Sequence, residues 1–334
     1  MSYLYVSEQG SYIGISENRI EVRQKGEVLE SIPIETLDII EIFGSVQIST
    51  QCLEKCLQKG IDVIFFSLRG SYYGRLISTN HVNSKRQRNQ AICTKNDEFA
   101  MSICKSIISA KINNQMVIAR RYNRYKKFDL SLFCKNMNAA IKTVSRCTSI
   151  NQVIGHEGFA AKEYFRILSL LIDDNFKFVG RVKRPPKDPF NSLLSFGYSL
   201  LLNEIYGKIE IKCLNPFWGF IHQDHEKHPT LASDLIEEWR AVIVDSLALS
   251  CLNGHEIMKS HFTFNSKNGG VYLDKEGFNI FVNKMERKMN TKSHYLNYVD
   301  YSLSFRKAID LQVGRLAKAI DTNNPMFYEP IKIR

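Results

Sequence analysis

The chain has 334 residues, 44% hydrophobic and 24% charged, with a formal net charge of +11. Such a balance is ordinary for a soluble globular protein of two domains, and no apolar run approaches the roughly 20 residues that a membrane span requires. The first ten residues, MSYLYVSEQG, show neither the basic nor the apolar region of a secretory signal, so a cytoplasmic location is expected.

The eight cysteines include no CxxC pair, which argues against a zinc knuckle or a thioredoxin-type site. Reduced, mostly buried thiols are expected, with Cys52 and Cys56 packing from one helix. The charge is unevenly spread. Residues 1–76 hold 7 basic and 10 acidic side chains, whereas residues 77–334 hold 38 and 24. The basic surplus therefore belongs to the second region, as expected of a surface that meets a polyanion.

In chain order, the segments SYLYV, SYIGIS, RIEVRQ, VLESIPI and LDIIEIF are rich in β-branched and aromatic residues, and they are separated by turn signals. Ser49 can cap a helix over TQCLEKCLQK, which Gly60 can end. IDVIFFSL and residues 72–77 read as further strands. From about Asn83 the apolar period changes from 2 to 3.6. The expected fold is α+β: a small N-terminal β-rich domain (1–78), a linker (79–90) and a larger all-α C-terminal domain (91–334).

Residues 99–128 carry seven Lys and Arg and no acid, with Tyr122, Tyr125 and Phe128 interleaved. They suit either a phosphate backbone or a solvated face above a core stripe. Glu157, in GHEGFAAKEYF, is expected in a first helical turn, where a carboxylate usually serves the helix dipole. In the loop KFVGRVKRPPKDPFN, residues 177–187 gather Lys177, Arg181, Lys183, Arg184 and Lys187 without an acid, and its prolines stiffen it into a candidate backbone clamp. An almost wholly apolar helix follows from Asn191.

Residues 215–240, NPFWGFIHQDHEKHPTLASDLIEEWR, hold three histidines and five acids. Ser233 can cap a helix that begins at Asp234, which would lie one turn from Glu237 and Glu238. Zinc on His222, His225 and His228 is disfavoured by Pro229, whereas one imidazole with two carboxylates suits Mg2+ or Mn2+. Further on, residues 265–277 read as a hairpin-like excursion, two amphipathic helices follow, and the tail NNPMFYEPIKIR reads as loose. No GxxxxGK[ST], GxGxxG, GxSxG or HExxH pattern is present.

Three blocks, GHEGFAAKEYF (155–165), KRPPKDPFNSLLSFGYSLLLNEIYG (183–207) and PFWGFIHQDHEKHPTLASDLIEEWR (216–240), resemble in order and spacing the CRISPR-associated integrase of spacer acquisition. The resemblance implies a metal site of Glu157, His222 and Glu237, with Asp234 as a possible auxiliary and Glu238 turned outward. It also implies a metal-dependent DNA integrase and endonuclease that uses Mg2+ or Mn2+ and joins 3′-hydroxyl ends of short fragments to a CRISPR repeat by transesterification. Double-stranded DNA with single-stranded or branched ends, repeat and leader DNA, a homodimer and a smaller CRISPR-associated protein would be its partners. Arg181, Lys183 and Arg184 are expected to contact phosphates. Tyr164 and Arg240 flank the site, either on the DNA or in the core. The alternatives are a non-catalytic DNA-binding adaptor and a mobile-element integrase outside CRISPR.

Overall fold

The computed structural model describes residues 2–334 apart from 79–81, 177, 223–225 and 227. Lys177 of the basic loop, His225 of the histidine series and residues 79–81 of the expected linker therefore lie outside the described residues. The chain divides into two compact units, Met1–Val82 and Asn83–Arg334.

Among its described residues the first unit holds two four-stranded sheets, one α-helix and a short 3-10 turn, Ile34–Thr36. The strands are β1 (Ser2–Val6), β2 (Tyr12–Ser16), β3 (Arg19–Gln24), β4 (Glu27–Pro33), β5 (Leu37–Phe43), β6 (Gln47–Ile48), β7 (Asp62–Phe66) and β8 (Tyr72–Leu76). One sheet has the order β1-β5-β7-β8, with parallel pairing except at the β7–β8 edge; the other runs β4-β3-β2-β6. Antiparallel pairing sets Ile13 opposite Val22 and Ile15 opposite Ile20. Alternation then sends Ile13, Ile20 and Val22 into a core shared with Leu4, Ile40 and Val63. Helix α1 (Thr50–Lys59) adds Cys52 and Cys56 to that core. Ser49 Oγ accepts from the Cys52 amide, and Gly60 closes the helix in the left-handed region (φ 71°). Both ends agree with the sequence signals. All eight cysteines are free thiols, six of them buried.

The second unit is built on helices α2 (Ser84–Thr94), α3 (Asp97–Lys126), α4 (Ser131–Arg146), α5 (Ile150–Leu171), α6 (Pro189–Ile211), α7 (Thr230–Leu235), α8 (Glu237–Arg240), α9 (Ser246–Asn253), α10 (Lys275–Asn290) and α11 (Phe305–Asp321). Residues 84–90, expected in a linker, are instead the first turns of α2, because the Asn83 side chain accepts from the Arg86 amide and caps it. The unit is also not purely helical. Strands β9 (Phe262–Asn265) and β10 (Gly270–Leu273) form an antiparallel hairpin, and the short β11 (Lys292–Ser293) pairs with β12 (Leu303–Ser304). Among the described residues no helix is long and apolar enough to cross a membrane.

Helix α3 is the axis of this unit. It is 30 residues long and packs against α4, α5 and α8. Its buried stripe includes Ile103, Cys104, Ile107, Ile108, Ala110, Ile112 and Ile118. Arg306, almost fully buried, ties α11 to α6 through Glu204 and to α10 through Glu286. The tail is not loose. Tyr328 and Ile331 are buried, and Asn114 of α3 donates to the Ile331 carbonyl (3.0 Å) and accepts from the Ile333 amide (3.0 Å).

Between α8 and α9 the chain makes one π-helical turn, Ala241–Asp245, which shifts the helix face presented after it. Gly197 of α6 lets that turn pack closely. A Cβ there would meet Val244 Cγ1 at 2.6 Å and Phe281 Cζ at 3.1 Å. Replacing Gly197 with Ala is therefore expected to destabilise the fold by about 1–3 kcal/mol through overpacking, measured by urea denaturation. Unchanged stability would show that the contact is loose.

Candidate active site

The helical stretch 230–253 carries four buried acids, Asp234, Glu237, Glu238 and Asp245. They do not share a face, as Asp234 was expected to do with Glu237 and Glu238; each meets a different neighbour. The helix begins at Thr230, four residues before the expected start, so Ser233 lies inside it and contacts His228 Nε2 (3.0 Å) rather than capping.

Asp234 is fully buried beneath the loop of residues 215–222. Its Oδ2 accepts from the Phe220 and Ile221 amides (2.6 and 3.0 Å), and its Oδ1 accepts from the His222 amide (3.2 Å) and lies 2.6 Å from His222 Nδ1. A carboxylate with both oxygens so engaged fixes the loop and the imidazole together. Gly219 makes this possible, since a Cβ would stand 2.7 Å from Asp234 Oδ2. The loop is held from behind by Gln90 of α2, which accepts from the Asn215 amide (2.7 Å) and donates to the Asn215 and Trp218 carbonyls (2.8 and 3.0 Å). The hydrogen bond to Asp234 raises the His222 pKa and leaves Nε2 as the nitrogen free for a ligand or substrate.

Glu157 stands well inside α5, whose capped start is at Ser149, and not in a first turn. Lys111 of α3 brings it together with Glu237. The ammonium bonds to Glu157 Oε1 and lies 2.5 Å from Glu237 Oε2. Arg240 adds a second cation, 3.2 Å from Glu237 Oε1. Burial alone would raise the Glu237 pKa, but Arg240 and Lys111 hold it at about 2. His222 is close enough to Glu237 for each to affect the other's pKa.

A layer of polar groups extends beyond Arg240. Its guanidinium lies 4.9 Å from the centre of the Tyr198 ring, and Tyr198 Oη donates to Asp245 Oδ1 (2.5 Å). Tyr164 is fully buried and donates to Asp245 Oδ2 (3.0 Å), which is a core position and not a surface one. Arg181 also lies over Tyr198 (5.5 Å) and donates to Asn191 Oδ1 and Ser195 Oγ (2.9 and 3.1 Å), bracing the basic loop against α6. Lys183 and Arg184 are exposed. Lys183 is near enough to the site that desolvation and Arg240 pull its ammonium pKa down.

The sequence reading missed Lys111, Gln90, Tyr198 and Asp245 as site residues. A signal for Lys111 was present: it occupies the apolar stripe after Cys104 and Ile107/Ile108, where a lysine has to find anionic partners.

Among the described residues no three His, Cys, Asp or Glu side chains lie in ligating range of one point. The reason is visible: an ammonium sits between the two carboxylates, and His222 Nδ1 faces Asp234. The donor set still fits a hard cation. Two carboxylates from separate helices converge on one positive centre, and the Lys111 ammonium is the partner of buried Glu237 Oε2.

The family model for CRISPR-associated protein Cas1 matches residues 4–287. The CRISPR-associated endonuclease Cas1 of Mycobacterium tuberculosis is 34% identical over 325 residues, covering 97% of this chain and 96% of that protein. Two solved structures share the fold. A casposase bound to its integration product has a TM-score of 0.85 at 20% identity and covers 97% of this chain and 92% of its own. A Cas6-RT-Cas1–Cas2 complex gives 0.84 at 22% identity over 100% of this chain, which spans 36% of that longer one. The chain belongs to the CRISPR-associated Cas1 family.

Glu238, expected to turn outward, is fully buried. It accepts from Gln312 Nε2 (2.5 Å), the Tyr328 hydroxyl and the Ile331 amide (2.7 Å). Burial nevertheless pushes its pKa up to about 7. A carboxyl shifted upward contributes stability in full below its ordinary 4.5, and loses that contribution as pH rises through about 7. Glu238→Gln is expected to flatten the decline in folding stability between about pH 5 and pH 8, followed by denaturant unfolding at several pH values. Equal pH slopes in the two chains would contradict the assignment.

Proposed function

We propose that the chain is a divalent-metal-dependent DNA integrase with endonuclease activity that inserts short fragments into a CRISPR array. Family membership supports the reaction class, and the endonuclease name of the mycobacterial relative and the integration product held by the casposase point the same way. The observation that carries the reading is the convergence of Glu157 and Glu237 on one cation beside His222.

Glu157, Glu237 and His222 would hold Mg2+ or Mn2+. The ion, when bound, would polarise a phosphoryl oxygen and favour ionisation of the attacking hydroxyl. In strand joining, the 3′-oxygen of the incoming fragment forms a new P–O bond while the bond to the target strand's 3′-oxygen breaks. The attacking hydroxyl gives up a proton and the departing oxygen takes one up. Asp234 acts as a positioning residue: it holds His222 through Nδ1 and keeps Nε2 towards the site. Arg240 keeps Glu237 ionised and oriented. Lys183 and Arg184 bind backbone phosphates, while Arg181 braces the loop that carries them and Tyr164 serves in the core. DNA and a homodimeric partner follow from the same reading, as does a smaller CRISPR-associated protein; the matching Cas6-RT-Cas1–Cas2 complex supports the last.

The test is an assay of purified chain with branched and repeat-containing DNA in Mn2+ or Mg2+, with and without that smaller protein. Products are expected only with metal. Ala at Glu157, His222 or Glu237 is expected to lower the rate by on the order of 100-fold or more, the scale on which loss of one charge-stabilising group acts. Full activity in the His222→Ala chain would overturn the assignment.

A further inference from the structure

Lys111 is the unusual member of the site. It is 8% exposed, on the inward stripe of a 30-residue helix, one turn after the apolar pair Ile107 and Ile108 and one turn before the buried amides Asn114 and Gln115. An ammonium so placed is kept there by its two carboxylates, Glu157 and Glu237, against the desolvation of its charge and the repulsion of Arg240. The same two carboxylates are the acidic ligands of the metal reading above, on which the present step rests.

We propose that Lys111 is a resident cation of this site, which holds Glu157 and Glu237 together in the metal-free chain and withdraws when a divalent ion takes its place. The arrangement follows from charge. Without Lys111 the buried carboxylate of Glu237 and the partly buried one of Glu157 would repel each other, and the ammonium offsets that repulsion and preserves their spacing. A divalent ion on the same oxygens removes the attraction that keeps the ammonium buried and adds like-charge repulsion to it. The side chain can respond without backbone movement, because lysine presents a compact charge on a flexible four-carbon stem. An arginine at this position would grip both carboxylates with a planar fork and be harder to displace. Lysine therefore gives a site that stays assembled when empty and still yields to metal. Ion binding becomes an exchange of one cation for another, and its affinity is set below that of a bare carboxylate pair.

Mn2+ binding to the DNA-free chain tests this without reference to catalysis, by titration calorimetry and by the electron paramagnetic resonance of free Mn2+. Lys111→Met is expected to bind Mn2+ at least about tenfold tighter than the unaltered chain, which corresponds to roughly 1.4 kcal/mol. It should also melt lower without metal and regain more of that loss on Mn2+ addition. Lys111→Arg is expected to bind more weakly than the unaltered chain. In the unaltered chain labelled with 15N-lysine, the slowly exchanging Nζ signal of Lys111 should shift or vanish on Mg2+ saturation, a readout that stands even where Lys111→Met fails to fold. Unchanged or weaker Mn2+ binding by a folded Lys111→Met chain, or an unmoved Nζ signal at Mg2+ saturation, overturns the role of Lys111 alone. Absence of Mn2+ binding in every chain overturns the metal reading and this inference with it.

Discussion

Burying four carboxylates on one helical stretch is the constraint from which the second unit takes its form. Each ion removed from water carries a penalty of several kcal/mol unless charge and hydrogen bonds replace the lost solvent. Asp234 meets that demand with three loop amides and an imidazole, Glu237 with Lys111 and Arg240, Glu238 with Gln312, Tyr328 and Ile331, and Asp245 with two tyrosines. These partners come from the 215–222 loop, α3, α11, the tail, α5 and α6. The acids thus act as anchoring points for most of the surrounding elements.

Adjacent positions on this stretch are driven in opposite directions. Glu237 is held at about 2 by two cations, while its neighbour Glu238, surrounded by neutral donors, rises to about 7. Identical side chains one residue apart thus serve as a permanent anion and as a group that folding prefers to protonate. The distinction comes from the environment, since the helix directs successive side chains about 100° apart. It separates an ion-paired charge from a structural hydrogen-bond centre that ties down the tail.

Much of the fold was legible because it depended on local rules. The strand periods of the first unit, the Ser49 cap and Gly60 stop of α1, and the helical period after Asn83 need only neighbours in sequence. Two errors arose where distant partners decide. The resemblance placed Glu237 in the site and left Glu238 facing outward; Gln312, Tyr328 and Ile331 make an inward position stable. The tail looked loose because its anchors, Asn114 and Glu238, are about a hundred residues or more away. Ser233 resembled a cap, but the helix starts earlier, at Thr230. In the candidate site, Glu157, His222, Asp234 and Glu237 were proposed from the family resemblance, whereas Lys111 was not, although its place on an inward stripe after Cys104 and Ile107/Ile108 was a signal for it.

We infer that Glu157, Glu237 and His222 form one cation site whose metal-free occupant is the Lys111 ammonium. Anomalous diffraction from crystals of the chain soaked in Mn2+ addresses it most directly. An anomalous peak is expected within about 2–2.5 Å of both carboxylates and of His222 Nε2, at the contact distances of a hard divalent ion, with the Lys111 ammonium moved away from the pair. An ion bound elsewhere, or the ammonium still bridging Glu157 and Glu237 with no peak beside them at saturating Mn2+, would contradict it.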